Sequence, residues 1–230
     1  MVKIKRVFCL ANSRKTSGRC IAGKEVQGNE FRGWIRPISG RPLHEISEED
    51  RGYGDGTRAQ VLDLIDICVV EGRPVAHQIE NYLIDDTRYW VKVGEGGWPN
   101  IEAALDPVSS LWINGHHTYH GCHDKVPEDQ LPYCGSSLHL IDVASLNIVV
   151  VREAIYQSTN TRKRVRASFD YCGLSYSLVV TDPVVEDEFL RREEGEYQLG
   201  RCIVCVSLSE VMYGHAYKLA ATIFRRASFG

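Results

Sequence analysis

Near the N-terminus, an aromatic residue stands between two arginines at alternating positions, because Arg32, Trp34 and Arg36 follow one another at every second residue. In a β-strand, residues at this spacing project from one face. A tryptophan ring that stacks on a nucleic-acid base contributes about 1–3 kcal/mol, while flanking guanidinium groups contact phosphates. Since Phe31 and Ile35 form an apolar opposite face, we predict that the trio faces outward. The alternative is that Trp34 belongs to the core and that the arginines are solvated.

Polar and basic residues before this segment extend the predicted binding surface. Residues 12–19 contain three cations together with amide and hydroxyl groups, and we predict that they form a flexible loop suited to phosphate contact. The predicted nucleic-acid-binding residues of the N-terminal half are Asn12, Arg14, Lys15, Arg19, Lys24, Arg32, Trp34 and Arg36.

The charge is distributed unevenly along the chain, although the net charge is only −3. Residues 1–41 carry ten Lys or Arg against two Asp or Glu, whereas residues 42–110 carry five against fourteen. Such asymmetry permits a nucleic-acid-binding surface on a protein that is acidic overall. Two solvated surfaces of opposite sign would give the same counts, and the acidic segment is also suited to docking a protein partner.

A second basic stripe lies in the C-terminal part, where Arg162, Arg164 and Arg166 share one face of a predicted strand. We predict that all three point outward, because three unpaired charges inside the protein would be prohibitively unfavourable. Two roles stay open for the stripe: binding of a polyanion, and ion pairing with Glu193, Glu194 and Glu196.

A histidine cluster has residue types that ligate zinc, because His116, His120 and His123 would share one face of a helix. Gly115 and Gly121 instead predict a loop. We therefore expect a polar loop and no metal, and these three histidines are the only metal-ligand candidates that we retain.

No arrangement typical of catalysis stands out. Cys202 and Cys205, like Asp63 and Asp66, are three residues apart on predicted strands and therefore face opposite ways. Cys20 lies beside cations that would lower a thiol pKa, but the sequence places no base near it. Phosphate-cradling, nucleophile-elbow and dinucleotide motifs are absent from the sequence. We predict no catalytic residue and no cofactor.

The C-terminal third has the element order of an OB-fold, a small five-stranded barrel. Asp182 and Pro183 are typical of a helix N-cap and first helical residue, so a short helix is predicted to end by Gly195. It separates three strands from two more, and the predicted strands cover residues 137–151, 162–171, 174–181, 200–208 and 216–226. A generic α+β sandwich is the alternative, because element order does not determine strand pairing.

The N-terminal half begins in the same way, with predicted strands at residues 3–11, 19–26, 31–39 and 61–70. We therefore predict a mainly β protein with two OB-like five-stranded barrels and a helical, loop-rich connector. The predicted boundaries are 1–80 for the first barrel, 81–136 for the connector with a short helix, and 137–230 for the second barrel.

Several motifs of the chain resemble those of the bacterial dual OB domain-containing proteins. The similar segments are residues 9–15 (CLANSRK), 18–25 (GRCIAGKE), 33–37 (GWIRP), 119–121 (YHG), 181–183 (TDP) and 195–200 (GEYQLG). They span nearly the whole chain. The resemblance implies two OB-like barrels in one chain, and it implies no particular reaction.

Length and composition limit the classes of protein to which the chain can belong. The 230 residues, of which 43% are hydrophobic, suit one or two globular domains. The longest apolar run is far shorter than the ~20 residues that span a bilayer, and no signal peptide is visible, so we expect a cytoplasmic protein without membrane contact.

These observations predict a non-catalytic dual OB-fold protein that binds nucleic acid, with single-stranded DNA or RNA favoured over duplex. One alternative is an enzyme that acts on nucleic acid or a nucleotide at a site between the barrels. The other alternative is a protein-interaction scaffold.

Overall fold

The computed structural model describes residues 2–15, 17–154 and 160–226, and this part of the chain is mainly β. The described residues form twelve strands, two α-helices and one 3-10 helix. The strands are β1 Lys3–Lys15, β2 Gly18–Gln27, β3 Glu30–Ile38, β4 Asp63–Gly72, β5 Asn81–Ile84, β6 Val91–Glu95, β7 Lys125–Pro127, β8 Leu138–Ala154, β9 Thr161–Tyr171, β10 Leu174–Val180, β11 Gly195–Leu208 and β12 His215–Arg225. The helices are α1 Trp98–Ala103, the 3-10 helix Glu128–Tyr133 and α2 Pro183–Leu190.

The chain divides into two compact units. The first comprises residues 1–105 and 135–137, and the second comprises residues 106–134 and 138–230. Residues 81–136, for which we predicted a separate connector, are shared between the units in this division. The predicted boundary after residue 80 differs because the first barrel needs β5, a strand of only four residues with weak periodicity.

In the first unit, five strands pair in a closed circuit. The order is β1-β2-β3-β5-β4, and β4 returns to β1. The β3–β5 pairing is parallel, whereas the other pairings of the circuit are antiparallel. The apolar side chains inside this circuit are Val7, Cys9, Ile21, Ile35, Ile46, Tyr53, Ala59, Ile65, Ile67, Val69, Ile84 and Trp90. The sixth strand, β6, pairs with β4 outside the circuit.

The second unit repeats this arrangement with β8-β9-β10-β12-β11, and β11 returns to β8. Helix α2 lies between β10 and β11, the third and fourth strands of this circuit in chain order, as the sequence predicts. The Asp182 carboxylate begins the helix by accepting hydrogen bonds from the backbone N–H groups of Val184 and Val185.

A short segment fills a gap in the second circuit. Strands β10 and β12 pair only at Val179 and Val180, so the earlier part of β10 has an open edge. There Cys122 exchanges two backbone hydrogen bonds with Ser177, and β7 then pairs with β12. Residues 122–127 thus cross from the edge of β10 to the edge of β12.

We predict that Gly23→Ala strongly destabilises the first unit. A methyl group on Gly23 would lie 2.0 Å from the carbonyl oxygen of Phe8 on the neighbouring strand, so the backbone would have to shift. Overpacking of this kind typically costs about 1–3 kcal/mol. Gly33→Ala on the next strand is the matched control, because its methyl group would meet no described atom within 4 Å. Equal unfolding free energies of the two variants in urea would contradict the described β1–β2 pairing.

Candidate nucleic-acid interface

The predicted flexible loop at residues 12–19 is a β-hairpin, so the prediction of a loop was wrong. Strand β1 continues to Lys15 and β2 begins at Gly18, while Thr16 lies outside the described residues. The register places Arg14 opposite Arg19 and Lys15 opposite Gly18. Three cations are therefore concentrated at one end of the hairpin, where Arg14 is exposed.

Two polar residues of the hairpin fix its position. The Asn12 amide donates to the carbonyl oxygen of Ala59 at 3.1 Å. Arg19 exchanges backbone hydrogen bonds of 2.8 and 2.9 Å with Ile46, and its guanidinium lies 3.5 Å from the Glu48 carboxylate. These contacts make Asn12 a positioning residue and tie the cationic end of the hairpin to the rest of the first unit.

The three residues of β3 that we predicted to face outward differ in burial. The prediction of an outward-facing side chain was wrong for Trp34 and Arg36. Trp34 is 8% exposed and Arg36 is 4% exposed. Only Arg32, near the start of the strand, is exposed, and its guanidinium lies 2.6 Å from Glu30. The alternating pattern assumes that one face meets water, whereas both faces of β3 are buried from Trp34 onward.

The buried cations on this face have partners. The Lys24 ammonium lies 4.8 Å from the centre of the Trp34 ring, in a cation–π contact. Arg36 donates to the Ser137 hydroxyl at 2.9 Å and lies 3.4 Å from the Glu80 carboxylate. These interactions compensate the burial of charge, and they leave Trp34 without an open face for a base.

The three arginines of the stripe on β9 become more buried along the strand. The prediction that all three point outward was therefore wrong for Arg166. Arg162 is exposed, the Arg164 side chain is 24% exposed, and Arg166 is buried. Burial of Arg166 is tolerated because its guanidinium donates to Glu153 and lies 3.5 Å from Asp124.

Glu153 also lies 3.9 Å from Arg164, so both arginines meet a carboxylate on the adjacent strand β8 rather than the glutamates considered from the sequence.

Asp124 is a buried residue of this region that sequence reasoning did not single out. Its buried carboxylate accepts hydrogen bonds from the Thr118 backbone N–H at 2.7 Å and from the Thr118 hydroxyl at 2.5 Å. The same carboxylate lies 3.5 Å from the Arg166 guanidinium. The only sequence signal was a lone aspartate beside the histidine cluster, and lone aspartates are common in loops.

Lys218 lies close to this carboxylate and is almost fully buried, with 1% exposure. Its ammonium donates to the carbonyl oxygen of Ile113 and to the side-chain oxygen of Asn114, both at 2.8 Å, and it lies 5.3 Å from the centre of the Tyr176 ring. Burial lowers the pKa of Lys218 to about 7, although Asp124 opposes this shift.

The histidine cluster forms an ordered loop. The Nδ1 atom of His123 accepts a hydrogen bond from the backbone N–H of Gly115 at 2.7 Å, and that of His117 accepts one from His123 at 2.9 Å. Burial, together with the neighbouring His117, lowers the pKa of His123.

Over residues 2–15, 17–154 and 160–226, the structure brings no three His, Cys, Asp or Glu side chains together as metal ligands. His116, His120 and His123 therefore do not form a common ligand set.

The aspartates on β4 hold separate ion pairs. Asp63 accepts a hydrogen bond from the Tyr53 hydroxyl at 2.7 Å and lies 2.6 Å from the Lys92 ammonium. Asp66 instead pairs with Arg6 at 2.7 Å. Each carboxylate therefore has a structural partner on its own side of the strand.

The comparisons with known proteins identify the family. The family model for a dual OB-containing domain matches residues 5–223, so the chain belongs to this family. Neither the comparison with curated proteins nor that with solved structures gives a match. In the part of the chain that the structure describes, no helix has the length and apolarity needed to cross a membrane.

We predict that Trp34→Ala lowers the free energy of unfolding by about 3–5 kcal/mol, because truncating a buried tryptophan leaves a cavity. Urea unfolding followed by circular dichroism measures the loss. Tyr89→Ala is a control in the same unit, since Tyr89 is 69% exposed and its truncation is expected to change little. A loss for Trp34→Ala no larger than for Tyr89→Ala would show that the ring meets water.

We predict that Lys218 makes stability rise with pH between about 7 and 10. In the unfolded chain a lysine pKa is about 10.4, so within this window the unfolded state binds more protons than the folded state. The free energy of unfolding of the wild type should therefore increase with pH relative to that of Lys218→Met, which lacks the titrating group. Parallel pH profiles of the two proteins, measured by urea unfolding, would contradict the lowered pKa.

Proposed function

We propose that this chain binds single-stranded DNA or RNA without catalysis, mainly through contacts between phosphates and the cations of the β1–β2 hairpin. The observation that carries the proposal is the register that concentrates Arg14, Lys15 and Arg19 at one end of that hairpin. Membership of the dual OB family supports it, because OB barrels bind oligonucleotides on their strands and loops.

The hairpin is suited to this role because it is held from both of its strands. Asn12 on β1 and the backbone of Arg19 on β2 are hydrogen-bonded to the segment between β3 and β4. Cations on a fixed element lose less conformational entropy on binding than cations on a mobile loop. Arg32, exposed at the start of β3, is a further phosphate contact in this proposal.

The buried position of Trp34 changes the expected mode of binding in the first unit. Without a stacking ring there, affinity comes mostly from phosphate contacts, which are insensitive to sequence and weaken as salt rises. Arg162 and the partly exposed Arg164 supply the corresponding contacts in the second unit. Arg166, which is buried between two carboxylates, holds the structure and is no longer proposed as a ligand contact.

A non-catalytic, cytoplasmic role is supported by the state of the cysteines. Burial raises the pKa of Cys9 to about 12 and that of Cys202 to about 11. Such thiols stay protonated at neutral pH and serve as small apolar core residues rather than nucleophiles. Free thiols of this kind are typical of a reducing compartment.

The test is a fluorescence polarisation titration of labelled single strands about 16 nucleotides long, a length that an OB barrel can accommodate, at several salt concentrations. We expect micromolar or tighter binding that weakens with salt, and a duplex should bind less well. The double variant Arg14→Glu/Lys15→Glu should weaken binding at least about tenfold and reduce the salt dependence, because phosphate contacts are lost.

The matched control is Arg73→Glu/Arg88→Glu, which makes the same change in charge at two exposed arginines of the same unit. An equal loss in both double variants would indicate a non-specific charge effect. Failure of the wild type to bind any strand at low salt would overturn the proposed function.

A further inference from the structure

Tyr119 is the most exposed large hydrophobic side chain of the second unit among the described residues, with 96% of its surface accessible. Its ring meets the His120 ring edge-on, with centres 4.7 Å apart and an angle of 84° between the planes. The contact leaves most of the tyrosine ring open to solvent, as its exposure shows. An exposed aromatic residue on a mobile loop is common and does not by itself indicate a binding role. Whether this ring is suited to binding therefore depends on how firmly the protein holds its loop.

The residue before Tyr119 is fixed to the protein interior. Thr118 donates both its backbone N–H and its hydroxyl to the buried Asp124 carboxylate, at 2.7 and 2.5 Å. Hydrogen bonds to a charged acceptor are roughly twice as strong as neutral ones. The backbone on the N-terminal side of Tyr119 is therefore held by two strong bonds.

The residues after the ring pair are fixed as well. A methyl group on Gly121 would lie 1.7 Å from an Asp124 oxygen, so only glycine lets the loop approach this carboxylate. Cys122 then pairs with Ser177 of β10 through two backbone hydrogen bonds, and His123 donates to His117. Tyr119 and His120 consequently project from a short segment whose two ends are both anchored.

The anchoring carboxylate also connects the loop to the arginine stripe. Asp124 lies 3.5 Å from Arg166, which shares its strand face with the partly exposed Arg164 and the exposed Arg162. The loop that carries Tyr119 and the buried end of the arginine stripe are thus joined through the Asp124–Arg166 ion pair. This combination suits a ligand that has both a flat aromatic group and negative charge.

We propose that Tyr119, flanked by His120, is a base-stacking site for single-stranded nucleic acid, whose phosphates are contacted by Arg164 and Arg162. The inference rests on the proposed function and assigns the second unit its own binding element. Every base has a π-face on which the tyrosine ring can stack, so the site is expected to tolerate different bases. Because the loop is already ordered, stacking requires little further loss of conformational entropy.

The test uses the full chain and the same labelled strands. Tyr119→Ala should weaken binding about 5- to 150-fold, the effect of losing one stacked base, whereas Tyr119→Phe should stay within about twofold because the ring is kept. Tyr133→Ala is the matched control, since Tyr133 is also a tyrosine of the second unit and is 81% exposed. Thermal midpoints should match the wild type, because an exposed ring contributes little to stability.

A second titration uses strands in which the bases are replaced by abasic sites. The wild type should lose affinity on these strands, whereas Tyr119→Ala should lose much less, because its stacking partner is already missing. If the wild type binds and Tyr119→Ala binds equally well, the stacking site is overturned while the proposed function stands. If the wild type binds no strand at low salt, the proposed function fails and the stacking site fails with it.

Discussion

A positive charge that is removed from water must be met by a partner, and this constraint decides which cations of the chain can act on a ligand. Arg36 is buried against Glu80 and Ser137, and Arg166 is buried against Glu153 and Asp124. These two guanidinium groups form ion pairs inside the protein and are not accessible to a ligand. Among the candidate nucleic-acid-binding residues, those that keep contact with solvent lie at the hairpin end and at the start of β3 in the first unit and at the start of β9 in the second, and these define the proposed binding surfaces.

The order of strands and the start of helix α2 could be predicted, because they depend on local signals. Alternation identifies a strand, and Asp182 followed by Pro183 identifies the first turn of a helix. Residues 9–15 and 18–25, which carried the family resemblance, form the strands of the cationic hairpin. By contrast, β5 is too short to show a period, although without it the first circuit cannot close.

The state of the predicted site residues could not be obtained from alternation alone. The period shows that Trp34 and Arg36 share a face, but it carries no information on whether that face is covered. Asp124 was missed for a similar reason: its partner Arg166 is 42 residues away in the sequence, and the two meet only in the folded unit. The buried carboxylate orders a loop that, from the sequence alone, showed only histidines and glycines.

The most direct test of nucleic-acid binding by these surfaces is photo-crosslinking of a single strand containing halogenated uracil, followed by identification of the attached peptides. Our account predicts crosslinks in peptides that contain the β1–β2 hairpin and in the peptide that contains Tyr119. Crosslinks confined to the peptide that contains Trp34, or the absence of any crosslink at low salt, would contradict it.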